Sequence, residues 1–211
     1  MKKIILVSVL LAGSVAAVFA EWTKVVCAGG DGVFSRNRIE WEDDFADSSW
    51  ENAAGGGING QLRLVKKDGL SFMFDLSGDF LQADGAKGMG GTFLFGTGMD
   101  FLKAEKNRLI LSGVVGLNET SLTESNAFTL GGYDVDIDTD FIGFIVGADL
   151  FFCRNLTENF GLFAQCTAGF GIGGARQEHN FEKDDDDFSK SGDGLCTGFF
   201  VTPKIGVCWN F

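Results

Sequence analysis

Most clearly from residue 54 onward, apolar and polar residues alternate with period two, in blocks separated by polar breaks. Such alternation marks strands with a different environment on each face. It predicts eight strands, over residues 22–34, 55–66, 70–81, 91–103, 108–118, 140–153, 159–173 and 197–211. Each is close to the ~9–11 residues that a tilted strand needs to cross a bilayer. The breaks alternate in length. "KKDG", "AEKN" and "RNLTE" are tight hairpins, whereas residues 35–54, 82–90, 119–139 and 174–196 are longer connections rich in Asp, Glu, Ser and Gly. Keeping the apolar faces aligned across the first hairpin requires a three-residue loop, Lys67, Asp68 and Gly69, with Gly69 in the left-handed conformation.

The two faces differ sharply in chemistry. In the third strand Leu70, Phe72, Phe74, Leu76, Gly78 and Phe80 share one side, opposite Ser71, Met73, Asp75, Ser77 and Asp79. The same split recurs in six more strands: the apolar side carries no charge, while the other collects Arg63, Asp75, Asp79, Asp100, Arg108, Asp149, Gln165 and Lys204 among Gly, Ser, Thr and Asn. One Lys or Arg at the lipid midplane costs roughly 2–4 kcal/mol, so a charge-free band over seven strands is expected where lipid is the solvent. A soluble lipocalin-like barrel binding an apolar ligand would turn the same face inward. The band, the alternation of short and long connections and the leader described next favour the lipid-facing arrangement, a transmembrane, antiparallel, up-and-down all-β barrel spanning residues 21–211.

Composition agrees. The chain holds 31 Gly, 22 Phe and a single Pro, a balance suited to curved, close-packed strands. Residues 1–20 place Lys2 and Lys3 before an apolar run that ends in small residues, the layout of a secretory signal peptide cleaved after Ala20. The formal net charge is −12, and loss of Lys2 and Lys3 with the leader takes it to −14. That excess excludes nucleic acid as a partner. The odd, widely spaced cysteines, Cys27, Cys153, Cys166, Cys196 and Cys208, form neither a zinc motif nor a disulfide scaffold. They are expected to be small apolar fillers, with room for one disulfide.

In the last strand Phe199, Val201, Pro203, Ile205, Val207, Trp209 and Phe211 share one side, and Pro203 predicts a local bulge. The leader, the eight strands and this terminal aromatic row resemble the small eight-stranded outer-membrane proteins of the OmpW, OmpX and OmpA-barrel kind. The resemblance is architectural and covers nearly all of residues 21–211. It implies a bacterial outer-membrane location, with Ile205, Val207, Trp209 and Phe211 matching the signal read by the barrel-assembly machinery. It further implies a narrow channel for small molecules, hydrophobic ones included, or a structural surface role.

The remaining chemistry is sparse. Eight strands leave an interior that side chains can fill, so the inward charges read as mutually satisfied ion pairs at least as readily as a channel lining. Asp134, Asp136, Asp138 and Asp140, and Asp184 to Asp187, concentrate carboxylates in two long connections. They lack the glycine and terminal glutamate of a calcium loop, so they read as solvated acidic loops without a metal. Facing the outside, they offer an adhesin-like alternative through host surface ligands. The single histidine, His179, has no neighbouring nucleophile in sequence, so neither an enzyme nor a cofactor is expected.

Overall fold

A computed structural model describes residues 22–42, 50–83, 85–104, 106–182 and 187–211; the expected leader, residues 1–20, lies outside them. The chain forms β1 (Thr23–Trp41), β2 (Trp50–Val65), β3 (Leu70–Ala83), β4 (Ala86–Asp100), β5 (Asn107–Leu130), β6 (Tyr133–Asn155), β7 (Phe160–Glu182) and β8 (Phe188–Asn210). Each strand pairs antiparallel with the next and β1 pairs with β8, closing the barrel. Closure removes every unpaired sheet edge, the condition for placing strands in hydrocarbon.

The first hairpin is as expected, whereas β4 stops at Asp100, short of the expected residue 103. Lys66 and Leu70 close the first hairpin (Lys66 N to Leu70 O, 2.8 Å), and Gly69 has φ +101°. A side chain is disfavoured in that conformation, so the loop chemistry fixes the register of β2 on β3.

The long connections differ from expectation. Residues 119–139 are nearly all strand: β5 and β6 run on to Leu130↔Tyr133 and turn through Gly131 (φ +64°) and Gly132 (φ +88°). Likewise β3 and β4 pair as far as Ala83↔Ala86, and β7 and β8 as far as Phe181↔Phe188. Beyond the bilayer both faces of a strand meet water, so the apolar alternation fades while the ladder continues. A register shift between Glu124 and Phe128 interrupts β5, where Asn126 (φ +53°) donates its backbone N–H to Asp136 Oδ1 at 2.7 Å. At Pro203 there is no bulge. The β1–β8 ladder passes from Asp31↔Lys204 to Phe34↔Val201 in unchanged register, and the ring's missing N–H is absorbed as a short gap.

The two faces sort as the periodicity predicts. Leu76, Phe80, Ile142, Phe144, Ile205 and Phe211 stand exposed on the exterior, Phe144 at 71%. Arg63, Asp75, Asp100 and Asp149 are buried in the lumen, each at 1% exposure or less. Apolar outside and charged inside is the reverse of a water-soluble barrel, which rules out the lipocalin-like alternative.

Candidate functional site in the lumen

Along the barrel axis the interior changes character. Nearest the short turns, Val25, Cys27, Val65, Ile110, Phe151, Cys153, Phe163 and Cys208 pack into a sealed apolar cluster. Phe151 and Phe163 stack there at 5.7 Å, and the Cys153 and Cys208 sulfurs lie 2.9 Å apart. These thiols are free and act as small apolar fillers; Cys166, by contrast, is exposed on the exterior.

The next turn of each strand supplies charge. Arg63 pairs with Asp149 at 2.5 Å, and its guanidinium lies 4.0 Å from the centre of the Phe151 ring. Its Nε donates to Gln61 Oε1 at 2.6 Å, and Gln61 Nε2 in turn donates to Asp75 Oδ2 at 2.6 Å and to Gln165 Oε1 at 3.0 Å. Lys204 donates to Asp75 Oδ1 at 2.5 Å, and Thr167 donates to Asp149 Oδ2 at 3.0 Å. The result is a belt of charge-assisted bonds across β2, β3, β6, β7 and β8. Of the lumen residues expected from sequence, it gathers Arg63, Asp75, Asp149, Gln165 and Lys204. Asp100 and Arg108 meet separately at the short-turn end, 3.5 Å apart, where Asp100 Oδ1 also accepts the backbone N–H groups of Leu102, Lys103 and Leu109. That pair anchors the β4–β5 turn. Asp79 stands apart from the belt, on the wall of a cavity above it.

This cavity, of about 110 Å³, occupies the half of the lumen toward the long hairpins. Its wall mixes the hydroxyls of Ser77, Thr120 and Thr202 with Leu94, Ile145 and Phe200. Gln61, Thr167 and the inward Asp31 escaped the sequence reading. For Asp31 a signal was present: Val26 and Phe34 share the opposite parity and are both exposed, which puts Asp31 inside.

Two other expectations change. Asp134, Asp136 and Asp138 are not loop residues but lie on β6, where they hold the outer hairpin. Thr123 donates to Asp138 Oδ1 at 2.6 Å, Asn180 to Asp138 Oδ2 at 2.9 Å and Thr129 to Asp134 Oδ1 at 3.2 Å. Asp184 to Asp186 lie outside the described residues. His179 sits beside Gln177 Oε1 at 3.1 Å and edge-on to Phe128. Partial burial, and then the charge of Lys190, lower its pKa below the ordinary 6.5, so the ring is neutral at physiological pH.

No protein-family model matches the sequence, and neither does any curated protein. Among solved structures the chain is similar to the outer membrane protein OprG of Pseudomonas aeruginosa, at 13% identity over 90% of this chain and 96% of that one, with a TM-score of 0.51. It also aligns with Ail, the attachment invasion locus protein of Yersinia pestis, at 12% identity over 90% and 99% of the two chains and a TM-score of 0.48. At such identities the likeness is one of fold. Combined with the apolar exterior and charged lumen, that fold makes the chain a β-barrel protein of the bacterial outer membrane.

Proposed function

We propose that this barrel binds small solutes in a cavity open toward the cell exterior and closed toward the periplasm, and that it is not a standing water-filled channel. The observation that carries the reading is the doubly closed inner half, in which the Arg63 belt lies over the Phe151 and Phe163 cluster. A through-channel would require both to part. The cavity wall supports solutes with a polar group and an apolar body, because hydroxyls and aliphatic or aromatic carbons alternate along it. The long hairpins mark the outer end, as in other outer-membrane barrels.

The surroundings follow the same logic. Outer-membrane lipid covers the exposed Leu and Phe belt. Ile205, Val207, Trp209 and Phe211 form an outward row, and Phe211 pairs by backbone with Lys24 at the closing seam (Phe211 N to Lys24 O, 2.9 Å). This exposed seam supports a role as the segment offered to the barrel-assembly machinery. An adhesin role through host ligands ranks second, because Asp134, Asp136 and Asp138 already accept hydrogen bonds from their own hairpins.

Single-barrel recordings in planar bilayers test the reading. The folded protein is expected to insert without discrete conductance steps; steady steps from the unmodified protein would overturn it.

A further inference from the structure

The floor of the outer cavity carries charge that the lumen's ion pairs do not neutralise. Asp149 is taken by Arg63, Asp75 by Lys204 and Asp100 by Arg108. Asp31 on β1 and Asp79 on β3 remain. Both carboxylate oxygens of Asp31 and Oδ1 of Asp79 are shut off from the surface, with no hydrogen-bond donor among the described residues. Asp79 is only 7% exposed and lines the cavity.

The sheet register brings these two carboxylates together. Asp31 lies opposite Gly57, and Gly57 lies opposite Asp79, so they flank a residue with no side chain. A Cβ on Gly57 would come within 2.8 Å of Asp79 Oδ1. Glycine therefore keeps the space into which the Asp79 carboxylate points. Lys204 stands directly across the β1–β8 ladder from Asp31, yet its ammonium is committed to Asp75. The pair places negative charge at the cavity wall, where Asp79 is the member that lines it. Buried charge left in this state is costly unless a ligand completes it.

We propose that the outer cavity is a binding site for small organic cations, primary amines above all. Asp79 receives the ammonium group, the charge of Asp31 supports it from behind across Gly57, and Leu94, Ile145 and Phe200 receive the apolar body. An ammonium group has three donors, which suits the Asp79 carboxylate together with the hydroxyls of Ser77, Thr120 and Thr202 on the same wall. The described residues contain no cluster of three metal-ligating side chains, and two carboxylates alone are a poor cage for a divalent ion that seeks six or more oxygens. The cavity also has space for a carbon skeleton that a bare metal would leave empty.

This inference rests on the solute-pocket reading, and matched probes separate the two. Calorimetric titration of the folded protein in micelles would compare 2-phenylethylamine, 2-phenylethanol and phenylacetate. The amine is expected to bind about 10-fold or more tighter than the alcohol, the worth of a charge-assisted bond, with the acid weakest. Asp79→Asn or Asp31→Asn should erase the amine preference and leave the alcohol unchanged. Each variant neutralises an uncompensated charge, so each is expected to fold, which heat-dependent gel mobility verifies; should one fail, the other carries the same readout. If the alcohol binds as tightly as the amine, the cation site is overturned and the pocket stands. If no probe binds, both are overturned. An amine preference that survives in the double variant also overturns the site, because it must then arise elsewhere.

Discussion

Toward the short turns side chains pack across the lumen: Phe151 stacks on Phe163, and Arg63 bonds Asp149 and Gln61. Toward the long hairpins the same strands enclose a cavity lined by Asp79, whose Oδ1 has no hydrogen-bond partner among the described residues, and Asp31 lies behind it across Gly57 with both oxygens likewise unpartnered. Both halves alternate in and out by the same period, so the difference lies in which residues occupy the inward positions. In the inner half these are mostly large, and the charged ones are paired with one another, although Arg63 Nη1 has no hydrogen-bond partner among the described residues. In the outer half they mix Ser, Thr and Gly with apolar side chains such as Leu94, Ile145 and Phe200 and a pair of carboxylates, which leave room and leave charge. A belt whose charges are paired specifies one arrangement of the barrel, whereas unpaired carboxylates invite a ligand.

The comparison breaks most easily at the belt. Asp149→Ala would leave Arg63 buried without its carboxylate, at an expected cost of about 3–5 kcal/mol, read from urea unfolding in micelles. Removing both partners, as Arg63→Met with Asp149→Leu, should recover much of that loss. If the single variant proves as stable as the parent, the inner half does not depend on the pair.

Next in size is the exterior. Phe144→Arg places a charge on the lipid-facing side of β6 and should destabilise insertion by roughly 2–4 kcal/mol, measured by folding into lipid vesicles. No loss on folding into lipid would contradict the assigned facing.

The smallest effect belongs to the outer hairpins. Burial lowers the His179 pKa in the folded chain, so the unfolded chain binds the proton more readily. Stability from this residue is therefore present above pH 6.5 and declines as the pH falls through and below that value. Hydrogen-exchange protection of the β7–β8 hairpin, corrected for the intrinsic pH dependence of exchange, should fall slightly on acidification, and His179→Gln should flatten that response.

What the sequence made legible follows from the same physics. Facing was readable in strands such as β3, because lipid on one side and a crowded lumen on the other impose strict alternation on Leu70 to Phe80. Strand ends were not readable. Residues 119–139 lose the alternation where both faces become wet, although the β5–β6 ladder runs on to a two-glycine turn. Within the lumen, the identity of inward charges such as Arg63 and Lys204 was plain, but partner choice was not, since Lys204 reaches Asp75 and not Asp31 across the ladder. The apolar inner cluster was hidden as well. Phe151 and Phe163 sit at inward positions that the polar pattern reserved for small or charged residues, and only the register shows them stacking beneath Arg63.

Spin labels at positions 144 and 120 in lipid vesicles test the central claim most directly, by comparing relaxation by oxygen, which concentrates in hydrocarbon, with relaxation by a water-soluble nickel chelate. The label replacing Phe144 is expected to be relaxed by oxygen and shielded from nickel, and the label replacing Thr120 in the cavity to show the opposite. Nickel access at position 144 equal to that at position 120 would contradict it.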